Sequence, residues 1–272
     1  MTFIKGVAVL ALLAAACQPA CSAADDTIES ARKICAEYQD SVVWVSVVCK
    51  ISFTAEGSKS QAINLPEKEK KVEALATVVS TNGLLVTALS AIDPARGISG
   101  REVQVAGNKV LLDATAVMTE AHIILPDGTE VPASVVMKDA DLDLAFILAK
   151  ADSKEFKGAS FKPVDLQDSA KALISDDVVS LGRADEVLNR QPSVVRGQVM
   201  VLVKKPHEFV RVSSVSLGAP SFNTRGKVLG IGVNRFMGNK PSVPVLIPAA
   251  EVRAIAEQAA NANVAAPAAP AK

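Results

Sequence analysis

The sequence predicts an all-β core of antiparallel barrels or a sandwich, opened by one helix and closed by another. Three observations predict it. Short β-branched and apolar runs recur between Val42 and Ile247 at short intervals, the spacing of strands in barrels and sandwiches. Asn82-Gly83 and Asp127-Gly128 sit between such runs, and these dipeptides are strong hairpin signals. Helical periodicity is confined to the two ends of the chain.

Asp26-Thr27-Ile28-Glu29 has the form of a capping box, in which the first residue caps the helix and the fourth caps back. Ile28, Ala31, Ile34, Cys35 and Tyr38 then recur at helical spacing to about Gln39. Val42-Val43-Trp44-Val45-Ser46-Val47-Val48-Cys49 is too apolar and β-branched for a surface helix and reads as a strand. Residues 54–71 are polar and charged and read as a solvated loop. Strand-like runs follow at 76–80, 84–88, 122–125, 131–137, 178–181, 194–203, 209–215, 228–233 and 243–247. Pro248 suits the first turn of the closing helix, with Val252, Ile255 and Ala259 on one side. Beyond Asn261 only Ala, Pro, Asn, Val and Lys remain, so 259–272 read as an Ala/Pro-rich flexible tail.

Composition excludes several classes. Lys+Arg and Asp+Glu number 29 each, and this balance lacks the basic excess of nucleic-acid binders. Two histidines and four cysteines leave little material for a structural zinc site, so neither a metal nor a cofactor is expected. Residues 1–24 read as an export leader: Lys5 is the charged start, 6–16 are apolar, and Ser22-Ala23-Ala24 precedes Asp25 as a cleavage site. The mature chain is then expected in the periplasm or another extracytoplasmic space. A second possibility is lipidation at Cys17, the one route to a membrane. An oxidising compartment permits a disulfide between Cys35 and Cys49; the alternative is two small packed thiols.

Three separated segments resemble the trypsin-like serine proteases of the HtrA type. That family carries its catalytic histidine in G-Y-I-L-T-N-x-H-V. Gly83-Leu84-Leu85-Val86-Thr87-Ala88-Leu89-Ser90-Ala91 follows the same spacing and puts Ser90 at the histidine. Leu125-Pro126-Asp127-Gly128, Ala133-Ser134-Val135, Asp139 and Asp143-Leu144-Ala145 follow the family's aspartate segment, with Asp143 at the catalytic position. The nucleophile segment G-N-S-G-G-P-L-x-N-x-x-G-x-V-I-G-I is matched without a gap from Val215 to Ile231. Pro220, Asn223, Gly226 and Gly230 stay in register, and Leu217 falls at the serine. The resemblance covers roughly residues 28–258. It implies a chymotrypsin/trypsin-like double antiparallel β-barrel between the two helices, with barrels at about 40–150 and 160–248. Residues 94–118 are then an inserted loop or hairpin, and the chain after the closing helix is too short for a peptide-binding PDZ domain.

The chemistry at these positions points away from hydrolysis. Peptide cleavage by serine needs a base titrating near neutrality, and a serine at position 90 cannot serve. Leucine at position 217 has no nucleophilic atom. In the oxyanion turn, Val215 replaces a glycine and Gly218 follows the nucleophile position; a β-branched residue resists unusual backbone angles. Asp143 alone is retained, with a structural role near Ser90 or nearby backbone. Ser216 is the neighbouring alternative nucleophile, but no histidine or lysine is spaced to activate it. His122 and His207 fall outside the family's base position.

Three functions therefore remain open. The first is an inactive protease homologue that binds unfolded or extended peptide segments, or a partner protease. The second is an active endopeptidase using Ser216. The third is a structural envelope protein that self-assembles as a homo-oligomer.

Overall fold

The computed structural model describes residues 22–57, 62–105, 108–237 and 240–265. Helix α1 (Ser22–Tyr38) leads through a tight turn at Gln39–Ser41 into the first barrel. That barrel is built from β1 (Val42–Gly57), β2 (Ala62–Val78), β3 (Leu84–Ala88), β5 (Asn108–Ile124), β6 (Glu130–Asp139) and β7 (Leu144–Ala149), with β4 (Arg101–Val105) added to β5. The order is β1-β2-β3-β7-β6-β5, and antiparallel pairing of β5 with β1 closes it. A second closed barrel, β10-β13-β12-β11-β8-β9, uses β8 (Asp177–Arg183), β9 (Pro192–Val203), β10 (Phe209–Val212), β11 (Pro220–Asn223), β12 (Val228–Met237) and β13 (Lys240–Pro248). Short helices α2 (Leu89–Ile92) and α3 (Lys154–Gly158) interrupt the first half, and α4 (Ala249–Ala265) follows the last strand. The double barrel between helices implied by the resemblance is the architecture observed. No described helix is long and apolar enough to cross a membrane.

Several local expectations are corrected. Residues 62–71 form the outer half of β2 rather than a loop, paired with β1 as far as Glu56↔Ala62. Polarity misled the sequence reading because this is an edge strand. Exposed Pro66 and the Lys/Glu run behind it blunt a row of backbone groups that would otherwise recruit another strand. The inserted segment is a hairpin, β4 with the start of β5, whose register runs from Arg101↔Leu112 to Val105↔Asn108. α1 begins at Ser22, so Asp26 lies inside the helix and its carbonyl accepts from the Ser30 hydroxyl. α4 continues through Ala265, past the expected end at Asn261, because its alanines are strong helix formers. Residues 1–21, with Cys17 and most of the expected leader, and 266–272 lie outside the described residues; Ser22, Ala23 and Ala24 belong to α1.

Apolar burial is divided into three layers. One fills the first barrel around Val43, Leu85, Ile123 and Ile147; a smaller one fills the second around Val178, Val210, Val212 and Leu246. The third lies between the barrels and under both helices, joining Val86, Leu144 and Phe146 to Leu181, Phe222, Ile231 and α4 residues Val252 and Ala259. This shared layer fixes the barrels' mutual position and therefore the cleft between them.

The cysteines are not bonded. Cys35 and Cys49 are free thiols, the first half-buried and the second buried. Cys49 points into the first barrel toward the Ile92 carbonyl, 3.4 Å away, whereas Cys35 packs against the inter-barrel layer. They occupy different layers, which rules out bond geometry. Burial pushes both thiols above their ordinary pKa.

Candidate functional site

The site residues sit where the barrels face each other. β3 runs straight into α2, placing Ser90 in the first turn of that helix. Asp143 lies in the β6–β7 turn, tightened by the Asp139 carboxylate, which accepts from the Asp141 and Leu142 amides at 3.0 and 2.9 Å. Its backbone is left-handed, with φ 58°, a conformation that aspartate tolerates better than most residues. The Asp143 carbonyl accepts from Leu89 N–H at 2.8 Å and holds this turn against the β3–α2 junction. Backbone geometry therefore delivers the carboxylate to Ser90.

The Asp143 carboxylate is buried and fully engaged. Oδ1 accepts from Ser90 N–H at 2.8 Å, and Oδ2 from the Ser90 hydroxyl at 2.7 Å and Asn234 N–H at 2.8 Å. The Asn234 side-chain amide in turn donates to Ser90 Oγ at 3.1 Å. Arg96 places Nε 3.4 Å from Oδ1, donates to the Ala140 carbonyl, and stacks 5.0 Å from the Phe236 ring centroid. Burial pushes the Asp143 carboxyl up; the Asn234 and Ser90 hydrogen bonds and the Arg96 charge pull in the opposite direction. Because Asn234 and Phe236 belong to β12, the cluster is a polar tie between barrels.

The turn at the expected nucleophile position is held by close backbone contacts. Gly218 adopts φ 77°, and a Cβ there would lie 2.0 Å from the Leu75 carbonyl oxygen. Its N–H donates to the Gly232 carbonyl at 2.7 Å, and its own carbonyl accepts from the Thr77 hydroxyl at 2.8 Å. Leu217 is half-buried and packs on the inter-barrel layer. Val215 and Ser216 lie flat on β12: a Cβ on Gly232 would meet the Ser216 carbonyl oxygen at 2.2 Å and Val215 Cγ2 at 2.6 Å. The Ser216 hydroxyl faces Gly182 of β8, 3.4 Å from where that residue's Cβ would be.

Neither histidine approaches Asp143 or Ser216. His207 Nδ1 lies 3.1 Å from Glu251 of α4, and His122 stands in β5 opposite Ser46 and Pro132. Serine attack would need an imidazole between an acid and a hydroxyl; here a serine and an asparagine fill that space. Among the described residues no group of three or more His, Cys, Asp or Glu side chains could hold a metal.

The remaining feature of the cleft is backbone. Gly232 turns its N–H to Ala219 and its carbonyl to Gly218, away from β13. Alternation along a strand points the main-chain groups of Asn234 and Phe236 the same way. β11 pairs with β12 only through Val228, Gly230 and Ile231, so β12 runs on beyond its neighbour with this edge toward the cleft.

Sequence reasoning named Ser90, Asp143, Leu217 and Gly218, of which the structure brings Ser90 to Asp143; it did not name Asn234, Arg96 or Phe236. Asn234 lies past the last matched motif position, and Arg96 lies in the segment treated as an insertion. It also missed Arg183, which is buried in β8. This side chain donates to the Val42 carbonyl at 2.7 Å, the Arg190 carbonyl at 2.7 Å and the Gln39 carbonyl, locking the α1–β1 junction to the second barrel. Burial lowers its pKa.

The family model described as a trypsin-like peptidase domain matches residues 74–231. A probable periplasmic serine endoprotease, DegP-like, from Bartonella henselae is 25% identical over 170 residues, 57% of this chain. The chain spans only 30% of that relative's length. The crystal structure of the MamO protease domain from Magnetospirillum magneticum in its apo form superposes with TM-score 0.47 at 16% identity, covering 80% of this chain and 97% of that one. Since the family match runs through both barrels and over more than half of the sequence, this chain belongs to the trypsin-like peptidase domain family.

Proposed function

We propose that this chain is a catalytically inert, extracytoplasmic trypsin-like domain that holds extended peptide segments of other proteins in the cleft between its barrels. The observation that carries the reading is the closed hydrogen-bond set at Asp143. Its two carboxylate oxygens are taken by Ser90 and Asn234, leaving no acid to orient a base and no imidazole to be oriented. Leu217 supplies no nucleophile. What remains is the edge of β12 at the Asn234 carbonyl and Phe236, the Asn234 N–H being taken by Asp143, and strand addition to such an edge relies on main-chain groups rather than on a triad. The leader-like composition of residues 1–24 and the similarity to a periplasmic DegP-like protein support the location. An unfolded polypeptide or a partner protease would be bound the same way.

The test uses the chain from residue 25 to 272. A fluorophosphonate serine probe, read by intact mass, should give no adduct, and casein should stay uncut. Unfolded casein should nevertheless be captured; Phe236→Pro, which deletes the N–H on the open edge, should abolish capture, whereas Phe236→Ala, which loses the same ring beside Arg96 and keeps the N–H, should retain it. An adduct on Ser216 that disappears in Ser216→Ala, together with cleavage, would overturn the reading in favour of an endopeptidase. Capture unchanged by Phe236→Pro would remove β12 as the binding edge.

A further inference from the structure

An antiparallel sheet with one face in water alternates apolar and polar residues. β9 breaks that rule, since Val199-Met200-Val201-Leu202-Val203 is apolar at every position. Val199 and Leu202 belong to the layer inside the second barrel. Val201 points outward and is 47% exposed. It stands opposite Arg211 of β10, and on the neighbouring strands Arg235 stands opposite Val243. Val201, Val203, Val243, Val245 and Met237 thus form the floor of a groove of about 290 Å³, with Met237 and Val243 55% and 44% exposed.

The rim of this groove is basic. Arg211 donates to the Pro244 carbonyl, and the Arg235 guanidinium lies 4.5 Å from the Phe209 ring centroid. Among the described residues, neither arginine has a carboxylate within ion-pair distance, unlike Arg96 and Arg190. Exposed Lys204 and Lys205 follow at the β9–β10 turn. A guanidinium steadied by an aromatic face or a carbonyl, yet lacking an anion, is preorganised for an incoming carboxylate. An apolar floor takes a branched aliphatic side chain.

We propose that this outer face of the second barrel docks a partner protein through an aliphatic side chain flanked by carboxylates. The surface is separate from the cleft: it lies on the β13 side of β12, whereas the open edge lies on the other. A recess suits an inserted side chain, whereas binding to a bilayer surface favours protruding apolar residues. The charge at the rim selects an acidic segment over a basic one.

The experiment measures fluorescence anisotropy of two labelled peptides, Glu-Leu-Glu-Val-Glu and Lys-Leu-Lys-Val-Lys, with the chain from residue 25 to 272. Phosphatidylglycerol vesicles and solution mass are measured in parallel. The acidic peptide should bind and the basic one should not. Arg235→Gln and Val243→Asp should each weaken binding by about tenfold, the effect of one lost charge-assisted contact or an occupied floor. Val243→Asp should leave casein capture intact, which separates the groove from the cleft. The proposal is overturned if neither peptide binds, if both bind alike, or if Val243→Asp also abolishes casein capture. It is equally overturned by vesicle binding without peptide binding, or by self-association that Val243→Asp abolishes. Arg235→Gln keeps the side chain's length, so unchanged binding by this folded variant would also count against it.

Discussion

The Asp143 corner and the Leu217 turn face each other across one cleft, and they are held in place in different ways. At the corner a buried carboxylate joins the two barrels through Ser90 and Asn234. At the turn the backbone itself is the constraint, with Gly218 at φ 77° against Leu75 and Gly232 beneath Ser216. The difference separates two kinds of constraint. Close backbone approach leaves no room for a Cβ whatever the chemistry. A buried carboxylate needs donors, but it does not specify which residues supply them.

The comparison breaks most visibly at the turn. Gly218→Ala places a methyl 2.0 Å from the Leu75 carbonyl oxygen in a left-handed conformation; it should cost on the order of 3–5 kcal/mol or prevent folding, read from urea unfolding. At the corner, Asp143→Ala strands the Ser90 and Asn234 donors and the Arg96 charge, and a loss of about 3 kcal/mol in the same assay is expected. Ser90→Ala removes one hydroxyl donor and should cost only about 1 kcal/mol. A Ser90 variant costing as much as Asp143→Ala would mean that the serine, rather than the carboxylate, organises the tie.

The subtlest test is pH. Burial raises the Asp143 carboxyl above its ordinary 3.8, so between that value and the folded one the native state binds the proton more tightly than the unfolded state does. Its contribution is then complete below the unfolded pKa and declines as pH rises through the folded pKa. The stability of the wild type relative to Asp143→Asn should accordingly fall from pH about 4 toward neutrality in paired denaturant titrations. A difference that grows with pH would mean that the Ser90, Asn234 and Arg96 donors outweigh burial.

Legibility differed between these regions for a physical reason. The strands at 84–88, 178–181 and 243–247 announced themselves through β-branched runs, and Asp143 and Leu217 through motif spacing. The outer half of β2 did not, because an exposed edge strand carries Pro66 and alternating charge and so resembles a loop in composition. Asn234 and Arg96 were silent because their significance is contact: each is an ordinary polar residue until folding brings it to a carboxylate 91 residues away in one case and into the same cluster from the inserted segment in the other. The cysteines could not be placed from sequence either, since pairing requires that two layers coincide.

By itself the sequence determined the antiparallel β class and the helices at each end, because periodicity and residue type are local properties; the double barrel came from the resemblance at three motifs. Only the tertiary structure decided what the surviving acid does, which β12 edge stays open, and where two arginines meet an apolar floor. Each of these depends on strands far apart in the chain being brought side by side, and burial and hydrogen-bond partners exist only after that has happened.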